Sequence, residues 1–190
     1  MVEDPEFAQK TDNELVKLTL ENQENFLHIV NRYEQRLLAF ILRISNVSVD
    51  EAKDLLQEVF IKIYQNINDF DADLRFSSWI YRITRNHVIS HYRKTKNQPQ
   101  PLPFELDEQT FESLATEFAI DKHIDHQLLK KSIFNALNKI NPKYREVIIL
   151  KYFEEKNYSE ISEILKKPNG TVATMLHRGK KQFKENFKYE

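Results

Sequence analysis

Apolar residues recur at three- and four-residue spacing along most of the chain, the signature of helices that bury one face. Over 23–45 the stripe is Phe26, Ile29, Val30, Tyr33, Leu37, Leu38, Ile41 and Leu42, enough for one long helix. Ahead of it, Thr11-x-x-Glu14 has the form of a capping box before Leu15, Val16 and Leu18. Ser48-x-x-Glu51 opens a third helix through Leu55, Leu56, Val59, Phe60, Ile63 and Tyr64. Asn68 to Asp73 is polar and predicts a loop. Ser77 is then the expected cap of a fourth helix, from Ser78 to about Lys94.

The pattern breaks at Pro99, Pro101 and Pro103, which cannot continue a helix. Residues 105–125 are acidic and weakly periodic, so 96–126 is expected to be a flexible linker between a domain at 1–95 and a second at 127–190. Sharper punctuation follows. One helix covers about 127–139. Asn141-Pro142 supplies an N-cap and a first-turn proline for another through Val147, Ile148, Leu150 and Tyr152. A third runs from Tyr158 to Leu165, and a fourth from about Gly170 to Phe187. Lys166-Lys167-Pro168-Asn169 forms the turn between them, with Asn169 as the expected cap. The fold class is all-α: two small helical domains joined by a linker.

Composition narrows the function. The only glycines are Gly170 and Gly179, which excludes loops that wrap backbone around a phosphate. The chain has no cysteine, excluding disulfides and thiol chemistry. No apolar run approaches the ~20 residues that cross a bilayer, and the acidic start is unlike a signal peptide, so a cytoplasmic protein without membrane insertion is expected. The net charge of -1 hides a split: residues 128–190 carry 14 Lys+Arg against 7 Glu, whereas 1–127 are net acidic. Such asymmetry points to a polyanion partner for the C-terminal part. Within the acidic part, 75–104 holds Arg75, Arg82, Arg85, Arg93, Lys94 and Lys96 without one carboxylate.

Two stretches carry candidate chemistry. The helices at 158–165 and 170–187, a short turn apart, have helix-turn-helix spacing. Ile161, Ile164 and Leu165 would pack on Val172 and Leu176, leaving Thr171, Ala173, Thr174, His177, Arg178 and Lys181 outward. Such a second helix can enter a major groove while its cations meet phosphate. The bland alternative is a solvated basic face on an ordinary hairpin. The second stretch, Phe76 to Asn86, interleaves aromatics with arginines, a pattern that stacks on unpaired bases and holds their backbone. Here the alternative is that Trp79, Ile80 and Ile83 are simply core.

Asp54-Leu55-Leu56-Gln57-Glu58-Val59-Phe60-Ile61-Lys62-Ile63-Tyr64, followed by Phe76-x-x-Trp79-Ile80-Tyr81-Arg82-Ile83-x-Arg85-Asn86, resembles region 2 of sigma-70-family factors. Ile140 to Ile148, Tyr158 to Leu165 and Gly170-Thr171-Val172 resemble region 4. The two regions lie close together, as in the extracytoplasmic-function (ECF) group. The resemblance implies that Asp54, Gln57 and Glu58 meet the clamp helices of core RNA polymerase, with the polymerase flap as a further contact. It implies that the loop 71–77 holds a flipped base of the -10 element, and that Arg75, Phe76, Ser77, Trp79, Arg82, Arg85, Asn86 and Arg93 hold the melted strand. Asn169, Thr171, Thr174, His177, Arg178 and Lys181 would read the -35 element. It further implies an anti-sigma factor as partner. Where family members often have Gly, an apolar residue and Ser in the helix-turn-helix turn, this chain has Lys166, Lys167 and Pro168. Ala173 and Met175 stand where basic residues are common, so no -35 contact is carried over to them.

Three rival readings belong to other classes, of which a protein-only adaptor leaves the basic part 128–190 unexplained. An enzyme would need a site: His87 and His91 have i, i+4 metal-ligand spacing, but no carboxylate lies in 75–104 to complete one, and His123 and His126 lack cysteine partners. No cofactor, metal or catalytic residue is expected. A stand-alone helix-turn-helix regulator, by contrast, would bind duplex DNA without polymerase.

Overall fold

The computed structural model describes residues 5–45, 47–95, 108–118 and 126–187, and the regular structure among them is all helical. The chain divides into two compact units, Met1–Leu102 and Pro103–Glu190.

The first unit contains α1 (Pro5–Ala8), α2 (Asp12–Glu21), α3 (Phe26–Ser45), α4 (Val49–Asn66) and α5 (Phe76–Thr95). The anticipated box opens α2: Thr11 Oγ1 accepts the Glu14 N–H at 3.3 Å while the Glu14 carboxylate accepts the Thr11 N–H at 2.7 Å. Ser48 caps α4 by accepting the Glu51 N–H at 3.2 Å. The Glu51 carboxylate does not close a box; it reaches His91 on α5 at 3.0 Å. Helices α3, α4 and α5 pack against one another, with α2 on α3. Leu15, Ile29, Leu37, Phe40, Ile63 and Ile80 lose all solvent contact there, each contributing about 1.5–3 kcal/mol.

Two starts differ from the sequence expectation. Asn22 caps a 3-10 turn, Gln23–Asn25, before α3 begins at Phe26. Helix α5 begins at Phe76, with the Arg75 carbonyl accepting the Trp79 N–H at 3.1 Å, so Ser77 lies inside the first turn instead of capping it. Burial of the Phe76 ring draws the start two residues earlier than the serine signal.

The second unit contains α6 (Glu108–Phe118), α7 (His126–Lys139), α8 (Pro142–Ile148), α9 (Tyr158–Leu165) and α10 (Asn169–Asn186). Asn141 caps α8 through the Lys143 N–H at 3.2 Å, with Pro142 in the first turn. The helix expected to run on through Tyr152 widens into a π-turn at Ile149–Phe153, which buries Ile149, Leu150, Tyr152 and Phe153. Helix α10 packs against α8, α7 and α9. Its Gly179 is what allows the α8 contact, since a Cβ there would lie 3.1 Å from both the Tyr144 carbonyl oxygen and the Ile148 side chain.

Part of the expected linker is structured. Helix α6 buries Phe111, Leu114 and Phe118 against the second unit, with the Phe118 ring 4.1 Å from that of Phe183. Its exposed Glu112 and Glu117 dilute the apolar period, which is why the segment looks like acidic linker. The proline-rich stretch 99–103 and His123 lie outside the described residues.

A second correction concerns Asn169. It is the first residue of α10 rather than its cap; the Pro168 carbonyl starts the ladder, accepting from Thr171 at 2.8 Å and Val172 at 3.1 Å, with no side-chain cap. Lys166 ends α9 in the left-handed conformation at φ 52°, where glycine is the usual residue. The Lys167 N–H and the Ser162 hydroxyl close the turn, to the Ser162 and Lys167 carbonyls respectively. Among the described residues no helix is long and apolar enough to cross a membrane.

Candidate nucleic-acid interface

In the second unit the α9–turn–α10 pair puts Val172, Leu176, Gly179 and Phe183 inward. Asn169, Thr171, Thr174, His177, Arg178 and Lys181 are exposed together, as the spacing predicts. Ala173 is exposed too, whereas Met175 is buried and offers no surface for DNA. The Thr174 hydroxyl donates to the Gly170 carbonyl at 2.9 Å. Arg178 donates to the Tyr144 hydroxyl at 3.1 Å. The Lys181–Glu185 pair is 4.0 Å apart and largely solvated, so it holds that lysine weakly.

Lys180, on the flank of α10, is engaged by α6. Its ammonium lies 2.5 Å from the Glu117 carboxylate and near the Tyr152 ring. Burial raises the Glu117 carboxyl, but hydrogen bonds from Lys180 and Tyr152 and the lysine charge outweigh it, holding it below the ordinary range.

In the first unit, Arg82 and Arg85 emerge half-buried from α5, with Arg75, Asn86 and Arg93 exposed. Arg85 donates to the Asn86 side-chain oxygen at 3.3 Å. Ser77 is half-buried. Phe76 is only 2% exposed and Trp79 6%. Both belong to an aromatic cluster in which Phe70 meets Phe76 at 5.1 Å and Trp79 at 5.5 Å, and Phe76 meets Trp79 at 5.6 Å. In this conformation Phe76 is core and unavailable for stacking on a base; it fixes the start of α5 and with it the arginine face.

Trp79 retains an edge in a cleft of about 630 Å³ between α4 and α5, shared with Glu58, Lys62, Asn66, Ile83, Asn86, His87 and His91. One expected polymerase residue, Glu58, thus lines the same cleft as two expected DNA residues, Trp79 and Asn86. Asp54, Gln57 and Glu58 lie exposed on α4, and with them Ile61, 56% exposed, which the sequence reading missed. Its signal is the i+3 position after Glu58 on a helix whose other isoleucine, Ile63, is buried.

The histidine pair finds its carboxylates across the helix interface. His87 Nε2 lies 2.9 Å from Glu58 and His91 Nε2 lies 3.0 Å from Glu51. Both partners stand on α4, outside the carboxylate-free stretch 75–104. Among the described residues no group of three or more His, Cys, Asp or Glu could hold a metal ion. Burial lowers the His87 pKa, against the opposing pull of Glu58. Both imidazoles thus sit against carboxylates of the neighbouring helix, and at His87 burial favours the neutral form.

Known proteins match along the same division. The Sigma-70 region 2 family matches residues 29–98, and the Sigma-70, region 4 family matches residues 130–183. The ECF RNA polymerase sigma factor SigW of Bacillus subtilis (strain 168) is 34% identical over 172 residues, covering 88% of this chain and 91% of its own. The ECF RNA polymerase sigma-E factor of Escherichia coli (strain K12) is 26% identical over 180 residues, covering 90% of this chain and 92% of its own. The solved sigma factor RpoE from Bartonella quintana, in complex with the anti-sigma factor NepR, shares the fold at TM-score 0.64 with 22% identity, over 86% of this chain and 96% of its own. CnrH, solved with the cytosolic domain of CnrY, does so at TM-score 0.65 with 21% identity, over 92% of this chain and 95% of its own. The chain belongs to the ECF group of the sigma-70 family of RNA polymerase sigma factors.

Proposed function

We propose that this chain binds core RNA polymerase and directs it to promoters, in the cytoplasm and without catalytic chemistry of its own. The acidic stripe Asp54, Gln57 and Glu58 on α4 meets the polymerase clamp helices, with Ile61 adding apolar area. The second unit meets the flap. Arg75, Ser77, Arg82, Arg85, Asn86 and Arg93 hold the melted -10 strand, and the cleft beside Trp79 takes an unpaired base. The exposed face of α10 reads the -35 element. The linker between the units lies within 96–107, ahead of α6. An anti-sigma factor masks these surfaces when the protein is silent.

One observation carries the reading: the helix that bears the aromatic residues and arginines lines, through Trp79, Ile83 and Asn86, a cleft whose α4 wall includes Glu58 of the acidic stripe. A duplex reader has no use for either the cleft or that stripe. Capture of melted bases does, because stacking contributes about 1–3 kcal/mol per base, comparable to the cost of unstacking.

Footprinting on promoter duplex tests it. The chain alone leaves the duplex open to cleavage, and protection over both elements requires core polymerase. Equal protection by the chain alone, on a palindromic site, would establish a stand-alone regulator instead.

A further inference from the structure

Lys143 on α8 and Arg178 on α10 converge on one side chain. Arg178 Nη1 lies 3.1 Å from the Tyr144 hydroxyl. Lys143 Nζ lies over the same ring, 4.7 Å from its centroid. The two helices are locked at this point: Gly179 abuts the Tyr144 carbonyl, and the Asn141 N–H donates to Gln182 Oε1 at 3.0 Å. Both cations are exposed, and among the described residues neither has a carboxylate partner.

Two cations held around one neutral hydroxyl repel each other. An anion between them turns that repulsion into two charge-assisted hydrogen bonds. Arg178 shares its exposed face of α10 with Thr174 and Lys181, so an anion here lies along the same surface that α10 presents to DNA. A guanidinium with its plane held by a hydrogen bond suits phosphate oxygens, which accept its fork of donors.

We propose that Lys143, Tyr144 and Arg178 form a site for one backbone phosphate of duplex DNA, extending the interface beyond the helix-turn-helix onto α8. Arg178 and Lys143 bind the phosphate, and Tyr144 is the positioning residue that holds the guanidinium. This rests on α10 reading DNA as proposed above.

The test uses the full chain with core polymerase on promoter duplexes carrying one neutral methylphosphonate at each -35 position in turn. At one position the substitution weakens the wild-type complex about tenfold, the contribution of one charge-assisted contact. Arg178→Gln and Lys143→Gln weaken binding to unmodified duplex by a similar factor, and each loses less than wild type at that position, because only one cation remains to lose its partner. Arg178→Gln also lowers the salt slope by about 0.9. Tyr144→Phe keeps both charges; it reduces affinity about threefold and leaves the slope unchanged, which separates positioning from charge. The site is overturned if Lys143→Gln binds unmodified duplex like wild type, or loses the same factor on every methylphosphonate duplex. It is overturned equally if Tyr144→Phe binds like wild type. A polymerase that initiates normally in those cases leaves the functional proposal standing; one that initiates nowhere with this chain removes both.

Discussion

Lys166 adopts φ 52° at the end of α9, a conformation that costs a residue with a Cβ about 1–2 kcal/mol. Glycine removes that cost but enlarges the freedom of the unfolded chain by about 0.4–1 kcal/mol. Lys166→Gly is therefore expected to stabilise the second unit by about 0.5–1 kcal/mol, read as a higher urea midpoint at unchanged slope. The neighbouring glycine behaves in the opposite sense. Gly179→Ala gains helix propensity of about 1 kcal/mol but drives a methyl to 3.1 Å from a backbone carbonyl that has nowhere to go. Overpacking costs about 1–3 kcal/mol, so a net loss near 1 kcal/mol is expected and the midpoint falls. Local signals of this size were legible in the sequence where the partner is two or three residues away, as with Asn141 and Lys143 or Thr11 and Glu14. They were not legible where the partner is on another helix. His87 and Glu58 are 29 positions apart, and His91 and Glu51 are 40 apart.

Elements followed their hydrophobic period wherever one face is packed and the other is wet. Helix α9 has the expected limits because Asn157 and Glu160 box its start and Lys166 turns its end. Helix α6 escaped because three apolar residues spread over eight positions, among carboxylates, are too few to outline a stripe. The π-turn escaped because a continuous apolar run reads equally as regular helix. The docking of α6 has a measurable pH dependence. Glu117 is held below the ordinary carboxylate value of 4.5 by Lys180 and Tyr152 in spite of its partial desolvation. A carboxyl with a lowered folded value contributes fully above the ordinary value, and the contribution is lost as pH falls through the folded one. Amide-exchange protection of 108–118 should therefore hold steady from pH 7 to about 5 and decline below 4.5. In Glu117→Gln that decline should be absent. A decline of the same size in the variant would assign it to another group.

At the scale of the whole molecule, the two units carry different surfaces: an aromatic-arginine helix beside an acidic face in one, a helix-turn-helix with an exposed basic face in the other. The helix-turn-helix by itself specifies only duplex binding. Their pairing in one chain is what asks for polymerase, and both family matches fall on these same two segments. The membership was legible from motifs, because their residues are contiguous. The burial of Phe76 and Trp79 was not, since the same aromatic-arginine pattern serves a core edge and a stacking platform alike. Run-off transcription with purified core polymerase on a genomic promoter library tests the central claim most directly. Added chain should start discrete transcripts from a subset of promoters, and Arg82→Ala with Arg85→Ala should reduce open complexes while leaving polymerase binding intact. No transcript above core polymerase alone, with tight binding of the chain to duplex DNA by itself, would contradict it.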